Sequence, residues 1–294
     1  MASDVYFCPG TREDKEERAA DMARGLIDRV WFDESDDIGG KEVLLTPHCG
    51  EIHKGSSLRV ETYIRHAVVR AIADKVRGCG GTAVFGGTTP VYGFGLRCTP
   101  EGHRQVAREH GFSEEMMGAP FLVLDEDGDE VNIFTGYYRL KCVGVPKRIC
   151  DIAEKGGFLI PPIHWKGHPF SAFGGALKQL WMGLVGRRTK VKVHGDYRAS
   201  VDPEKCTGCE TCVDSCYDHH ITFADGKAKV GDGCMGCGGC IEICPSGALN
   251  LAQKLPLGMN YEARMVFLRK LVHAAGAAAG LFEGRRYTLQ MQQQ

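Results

Sequence analysis

Two runs of four cysteines, displaced by 28 residues, constrain this chain more than any other feature. Each run has the spacing C-x2-C-x2-C-x3-C. Three cysteines in one tight loop offer thiolates to three corners of one iron–sulfur cubane, and the fourth cysteine of each run binds the other cluster. The spacing therefore predicts two [4Fe–4S] clusters, one on Cys206, Cys209, Cys212 and Cys244 and the other on Cys234, Cys237, Cys240 and Cys216.

The number of cysteines supports metal chemistry over disulfides. The chain has 14 cysteines in 294 residues, and its acidic start lacks the basic flank and apolar core of a signal peptide. We therefore expect a cytoplasmic protein in which this many cysteines serve metal or redox chemistry. Zinc sites use separated cysteine pairs, so zinc fits the two runs poorly. Oxygen sensitivity is expected of such clusters.

Charge and hydropathy exclude some classes of partner. A formal net charge of −1 gives no global attraction to nucleic acid or anionic lipid. No apolar run approaches the roughly 18 residues that a membrane span needs. The expected partners are a redox protein, as electron donor or acceptor, and a small-molecule substrate. The sequence leaves the oligomeric state open.

Outside the cysteine runs, helical and strand patterns alternate. Apolar residues from Val60 to Val76 fall at helical spacing, and short apolar runs such as "TAVFGG", "APFLVLDEDG", "VNIFTGYYRL" and "FLIPPIH" indicate strands. Strands that alternate with helices predict an α/β fold with a largely parallel sheet and flanking helices. A small ferredoxin-like α+β domain is expected to carry the two [4Fe–4S] clusters.

These patterns predict three regions. An α/β domain that binds a substrate or cofactor is expected over residues 1–200, a two-cluster ferredoxin domain over 201–254, and a closing helix with a frayed tail over 255–294. A basic run lies near the first boundary. It is either a docking surface for an acidic or phosphate group or a solvated linker, and its members are Arg187, Arg188, Lys190, Lys192 and Arg198.

The segment with the cysteine runs resembles a bacterial two-cluster ferredoxin. "ADGKAKV" between the runs suits the hairpin turn of that fold, and the second run ends with the usual proline in "CPSGAL". The first run departs from the pattern because Tyr217 stands where proline is usual. His219 and His220 follow it, either as neighbours that tune the cluster on Cys216 or as exposed loop residues.

A second polar segment, "IHWKGHPFSAFGGALKQLWMG", runs from Ile163 to Gly183. It leaves a predicted strand and enters a predicted helix through Gly174 and Gly175, and α/β folds place ligands at the carboxyl ends of strands. Its basic residues could be metal ligands, proton donors or an anion clamp: His164, Lys166, His168 and Lys178. The stretch from Thr88 to Gly95 either binds phosphate or a cofactor through its amides or is a structural turn.

Nearly the whole chain is similar to the iron–sulfur centre proteins of domain-of-unknown-function family 362. Four sets of motifs carry the resemblance. The first is H-x-K-G-H with F-G-G-A-L-K and M-G (His164, Lys166, Gly167, His168, 173–178, Met182, Gly183), and the second is H-x-G-E (His48, Gly50, Glu51). The third is T-x-x-Y-G-x-G with a following arginine (Thr89, Tyr92, Gly93, Gly95, Arg97), and the fourth is G-H with G-F (Gly102, His103, Gly111, Phe112). Gln179 replaces the family's usual asparagine, and Cys49 stands where an aromatic residue is common. Cys49 is either a reactive thiolate or, more simply, a buried packing residue.

The resemblance implies a set of functional residues without naming a reaction. The catalytic candidates are His164, Lys166, His168, Lys178, His48 and Glu51, and the cofactor-binding candidates are Gly174, Gly175, Thr89, Tyr92, Gly93 and Arg97. Three functions are left open. The chain is an iron–sulfur reductase that acts on a ligand in the α/β domain, a ferredoxin-like subunit that relays electrons between larger partners, or a His-ligated metal enzyme.

Overall fold

The structure is a computed structural model that describes residues 16–30, 38–50, 63–91, 95–168, 171–194, 198–216, 219–232, 234, 239–251, 261–286 and 289–292. Its helices are α1 (Glu16–Val30), α2 (His66–Gly78), α3 (Pro100–Glu109), α4 (Glu114–Met117), α5 (Lys147–Glu154), α6 (Ala176–Met182), α7 (Arg187–His194), α8 (Thr211–Asp214), α9 (Gly239–Ile243) and α10 (Tyr261–Gly280). Its strands are β1 (Glu42–Leu45), β2 (Thr82–Gly87), β3 (Phe121–Val123), β4 (Glu130–Tyr137), β5 (Leu140–Pro146), β6 (Phe158–Ile160), β7 (Pro162–His168), β8 (Ala172–Gly174), β9 (Ala199–Val201), β10 (Ile221–Ala224), β11 (Lys227–Val230), β12 (Leu249–Leu251) and β13 (Leu289–Gln292).

Within the described residues, a four-stranded parallel sheet organises the α/β part. Its order is β3-β2-β1-β6, so the chain steps outwards from β1 to β2 and β3 and later places β6 on the other side of β1. This confirms the predicted mixed α/β fold with flanking helices. The point where the strand order reverses lies between β1 and β6, which is where open α/β sheets form a ligand crevice.

Both faces of this sheet are covered, which explains why its strands read as continuous apolar runs. Val43 and Leu45 of β1 enter a core with helices α1 and α2. Leu44, between them, points to the opposite core with α5, α6 and α10. Because neighbouring strand residues point to opposite faces, each strand ties the two helical layers together.

In three segments the structure differs in detail from the sequence prediction. The strand predicted at "VNIFTGYYRL" is the first arm of an antiparallel pair, β4–β5, outside the parallel sheet. "FLIPPIH" divides into β6, in the parallel sheet, and β7, which pairs antiparallel with β8. Residues 289–292, expected to fray, instead form β13, which pairs with β7 in parallel. These residues are ordered by pairing with β7, which is distant in the sequence, so the local composition of the tail does not predict the strand.

Four of the five residues of the basic run lie on α7, so this part of the run is a packed helix and not a solvated linker: Arg187, Arg188, Lys190 and Lys192. Thr189, Lys190, Val191, Val193 and His194 are buried in this helix. The helix packs against β5 and α10. The chain then forms the cysteine-rich segment and returns as α10, whose apolar residues complete the core on the α5 side of the sheet.

The cysteine-rich segment contains two short antiparallel pairs, β9–β12 and β10–β11. Asp225 and Gly226 join β10 to β11 with φ values of 55° and 73°, as a tight hairpin turn requires. The hairpin expected at "ADGKAKV" is confirmed. Beneath it lies a small core of Ala199, Cys212, Ile221, Ala228, Cys240 and Leu249. In the described part of the chain, no helix combines the length and apolar character that crossing a membrane demands.

Candidate cluster and ligand sites

The four cysteines predicted to share the first cluster line one pocket. Cys206, Cys209 and Cys212 come from the loop before α8 and from its start, whereas Cys244 follows α9, yet all four line the same cavity. Burial raises the pKa of the Cys212 thiol, and the nearby thiols of Cys209, Cys244 and Cys206 raise it further. The fold thus brings the distant fourth cysteine to the first triplet, which is the arrangement that a shared cubane needs.

The loop that carries this triplet depends on Gly208. Its φ of +75° lies in the left-handed region, and a Cβ there would come within 2.7 Å of the carbonyl oxygen of Gly226. Only glycine meets both conditions without moving the hairpin. The β10–β11 turn and the cysteine loop therefore fix one another's position.

Polar groups surround the sulfur atoms. The Thr211 hydroxyl lies 3.4 Å from Cys209 Sγ, the Ser246 hydroxyl lies 3.6 Å from Cys244 Sγ, and the backbone N–H of His220 donates to Cys216 Sγ at 3.3 Å. Donors placed around thiolates are a usual second layer of iron–sulfur sites and tune their potential. His220 thus meets Cys216 through its backbone, and the structure gives its side chain no part in this contact.

The second predicted set is described in part. Cys240 belongs to the small core of this segment, and Cys216 and Cys234 pack against it, whereas Cys237 lies outside the described residues. No three or more His, Cys, Asp or Glu side chains among the described residues are grouped to hold a single metal ion. A cubane is bound differently, because each thiolate binds its own iron and the sulfurs need not converge on one point. The four cysteines that line the first pocket are the donor set that such a cluster needs.

A second site lies at the carboxyl edge of the parallel sheet, where the strand order reverses. His48 follows β1 by three positions, and His164 and Lys166 lie on β7, which begins two residues after β6 ends. Since β1 and β6 are parallel neighbours, these segments emerge side by side. Lys166 Nζ lies 3.4 Å from His48 Nε2, so residues 118 positions apart meet at the predicted ligand crevice.

Lys178 joins this pair through the turn that Gly174 and Gly175 form between β8 and α6. A Cβ built on Gly174 would lie 3.4 Å from Lys178 Cδ and 3.8 Å from Lys166 Cγ, so the two lysine stems flank one glycine. Gln179, the next residue, donates to the carbonyl oxygen of Thr46 at 2.8 Å and anchors α6 to the end of β1.

The basic groups in this crevice act on one another. Burial lowers the pKa of Lys166 to about 7, with Lys178 and Arg97 as further causes. Burial and Arg97 likewise lower the pKa of Lys178 to about 8. The pKa of His48 lies well below its usual value because of burial and the neighbouring cations, of which Lys166 contributes most. Desolvation and like charge both penalise the protonated forms, so the two lysines lose their protons near neutral pH and His48 is already neutral there.

Hydrogen bonds indicate the tautomer of His48. The backbone N–H of Gly50 donates to His48 Nδ1 at 3.3 Å, so the neutral ring carries its proton on Nε2. That proton faces Lys166 Nζ. A neutral lysine amine accepts such a proton, whereas an ammonium group does not. The contact therefore matches the lowered pKa of Lys166.

A buried network supports the crevice from below. Lys190, fully buried on α7, donates to Thr88 Oγ1 at 2.7 Å and to the carbonyl oxygen of Thr89. The amide and hydroxyl of Thr89 donate to the Asp125 carboxylate at 2.9 and 2.8 Å. These bonds hold the end of β2 to the end of β3 and engage both donors of Thr89 inside the protein, as in a structural turn.

Comparison with known proteins places the chain in a family. Residues 43–279, more than half of the chain, match the family described as "Domain of unknown function (DUF362)". The chain belongs to this family. A stretch of 52 residues is also 44% identical to the "Indolepyruvate oxidoreductase subunit IorA" of Pyrococcus horikoshii, covering 16% of this chain and 8% of that protein. The matched stretch is thus a small part of that relative.

Five residues of the family motifs meet in the crevice. His48, His164, Lys166, Lys178 and Arg97 act on one another's protonation there. Three predicted site residues, and one side chain, lie outside the described part of the structure: Glu51, Tyr92, Gly93 and the side chain of His168. Their roles stay predictions, as does a cofactor contact by Thr89.

Some residues of the site had no clear signal in the sequence. Lys190 was read as part of an exposed basic run, but its helix places it in the core beneath Thr88. Thr46 Oγ1, at the end of β1, is buried without a hydrogen-bond partner among the described residues. Cys49 is buried, which raises the pKa of its thiol to about 12, so it is a packing residue and not a reactive thiolate.

Proposed function

We propose that this DUF362 protein is an iron–sulfur oxidoreductase. In this proposal the cysteine-rich segment holds two [4Fe–4S] clusters and the α/β crevice binds a substrate or cofactor that is reduced. The observation that carries the proposal is the single pocket lined by Cys206, Cys209, Cys212 and Cys244. The fourth cysteine of the second run lies there beside the first three cysteines of the first run, as expected of a two-cluster ferredoxin. When bound, the clusters supply single electrons at low potential.

The similarity to an indolepyruvate oxidoreductase subunit supports a redox role, although it covers only 16% of this chain. Cys209 is exposed, so the first pocket reaches the surface. A protein partner could exchange electrons at that position. We infer that a redox protein docks on this side and that the α/β part is the place where electrons are used.

The crevice residues suit a reduction because reduction places negative charge on the ligand. Lys166, with a pKa of about 7, exchanges a proton near physiological pH. While Lys166 is neutral, the Nε2–H of His48 donates to its amine and positions it. Protonated Lys166, beside Lys178 and Arg97, would stabilise charge that develops on a bound ligand and then deliver a proton to it.

The cluster assignment is tested by iron and acid-labile sulfide analysis of the full chain purified without oxygen. We expect about eight irons and eight sulfides per chain, as two [4Fe–4S] clusters require. Cys212→Ser should lose about half of the iron and one of the two electron paramagnetic resonance signals of the dithionite-reduced protein. Cys79→Ser, at the end of α2 and away from both runs, is the matched control and should keep full iron.

Zinc in place of iron in the oxygen-free protein would refute the proposal. So would unchanged iron content in Cys212→Ser. The ligand-binding role of the crevice is tested separately with Lys166→Met. This variant should leave the iron content and both electron paramagnetic resonance signals unchanged.

A further inference from the structure

We propose that the crevice at the β1–β6 switch point binds a small anionic ligand through a carboxylate or phosphate group, held by Lys166, Lys178 and Arg97. This inference rests on the proposed ligand-binding role of the crevice and specifies the chemical class of the ligand. It concerns binding alone and does not depend on which reaction follows.

The first support is convergence. Lys166 comes from β7, Lys178 from α6 and Arg97 from the short 3₁₀ helix Leu96–Cys98, so three separate elements bring cations to one place. The two lysine stems lie within 3.4 and 3.8 Å of the same point beside Gly174. Arg97 is close enough to lower the pKa of both lysines and of His48. On an exposed surface, cationic side chains stay apart because like charges repel and because water solvates each cation better alone.

The second support is a contrast with Lys190, a buried lysine on α7. Lys190 has a carboxylate close by, since Asp125 raises its pKa, and two threonine oxygens accept its protons. The protein itself thus supplies Lys190 with acceptors and a nearby carboxylate, while burial lowers its pKa to about 7. Lys178 has cations as neighbours: Arg97 lowers its pKa, and Lys178 in turn lowers the pKa of Lys166. A ligand that brings negative charge would offset this repulsion.

The third support is the energetic response that an anion would produce. An anionic group within hydrogen-bond distance favours the protonated lysines and reverses the effect of their mutual repulsion. Carboxylate and phosphate oxygens accept charge-assisted hydrogen bonds from ammonium and guanidinium groups. Lys166 and Lys178 are each partly exposed, so solvent reaches part of both side chains.

Isothermal titration calorimetry tests the inference on the full chain with its clusters, purified without oxygen. The probes are inorganic phosphate and succinate, each titrated at constant ionic strength maintained with sodium chloride. We expect saturable binding of at least one probe, and the probe that binds more tightly identifies the anionic group. Lys166→Met and Lys178→Met should each weaken binding at least tenfold, and the double variant should abolish it.

Lys147→Met is the matched control because Lys147 is an exposed lysine paired with Asp151 at 2.5 Å. It should bind both probes like the unaltered protein. Arg97→Gln provides an independent test if a lysine variant fails to fold. It should also weaken binding at least tenfold while the thermal midpoint stays near that of the unaltered protein.

Proton uptake gives a readout that a merely structural role would not change. Among the described residues, the groups that act on Lys166 include His48, which contacts it, and the cations Lys178 and Arg97. Because an anion raises the pKa of Lys166 above its free value of about 7, binding should take up protons just above pH 7 and weaken as pH rises further. Titrations in buffers of different ionisation enthalpy should detect this uptake, and Lys166→Met should reduce it.

Equal affinity in the unaltered protein and in all crevice variants would overturn the inference, because the anion would then bind elsewhere. Absence of binding by both probes would also overturn it. Either result in protein with full iron would leave the cluster proposal intact. Conversely, saturable crevice binding in a chain that contains no iron would support the anion site and refute the cluster proposal.

Discussion

The cysteine-rich segment and the α/β crevice are built in opposite ways. In the segment, three ligands of each predicted cluster lie within seven consecutive positions, so a short loop determines most of the site. In the crevice, His48 and Lys166 are separated by 118 positions and meet only because β1 and β6 are neighbours. A local site can be recognised from spacing, whereas a site assembled by a sheet depends on strand order.

The two regions also differ in what stabilises them. The α/β part buries two large apolar cores, one on each face of the parallel sheet. The cysteine-rich segment has one small core, and two of its buried members, Cys212 and Cys240, are predicted metal ligands. So small a core rarely sustains a fold by itself, and metal binding commonly supplies the missing stability.

Removal of iron should therefore affect the two regions unequally, and this is the largest effect we expect. After anaerobic chelation, amide hydrogens in β9 to β12 should exchange at least a hundredfold faster, because the segment loses its cross-links. Amides of β1, β2 and α2 should keep their protection, since their cores contain none of the predicted cluster ligands. Hydrogen exchange followed by mass spectrometry measures both regions in one sample.

Equal loss of protection in the α/β part would show that the two regions fold as one cooperative unit. Unchanged protection in β9 to β12 would show that the small core suffices without metal. Either result would remove the contrast between a metal-dependent region and a metal-independent one.

Gly208→Ala tests how strictly the cysteine loop is specified. The new Cβ would lie 2.7 Å from the Gly226 carbonyl oxygen, so the loop or the hairpin must move. We expect loss of the first cluster, seen as about half of the iron in anaerobic protein. Gly226→Ala is the matched control, since its φ of +73° imposes similar strain but a Cβ there would meet nothing within 4 Å. It should cost about 1–2 kcal/mol and keep full iron. Similar iron contents in the two variants would refute the steric argument.

The smallest effect concerns Lys190 and the pH dependence of stability. Burial lowers its pKa from 10.5 to about 7; Asp125 opposes the shift, and Arg97, Arg187 and Lys178 add to it. Between these two values the unfolded chain binds more protons than the folded one. The contribution of Lys190 to stability therefore rises with pH from about 7 to 10, by up to about 1.4 kcal/mol per pH unit.

Urea unfolding followed by tryptophan fluorescence at pH 7, 8 and 9 measures this slope. Lys190→Met should reduce the increase of unfolding free energy with pH, whatever its effect on stability at pH 7. The exposed Lys147→Met should leave the slope unchanged. A slope that is the same with and without Lys190 would show that this lysine stays charged in the folded state.

The family motifs identify residues of the crevice more reliably than helical or strand periodicity does. His164, Lys166 and Lys178 belong to one segment, and their proximity follows from the strand–turn–helix that the glycine pair predicts. His48 and Arg97 come from other motifs, and no periodicity relates them to Lys166. Lys190 shows the limit of composition, because a lysine in a basic run reads as exposed until its helix is packed against a core.

By itself, the sequence determined the eight predicted cluster cysteines, the alternation of helices and strands, and the hairpin between the cysteine runs. These features depend on spacing, periodicity and turn chemistry, which act over a few residues. The tertiary structure alone decided that β6 pairs beside β1, that residues 289–292 add to β7, and that Lys190 is buried. Such choices depend on the packing of distant segments, where hydrophobic burial and backbone pairing override local preference.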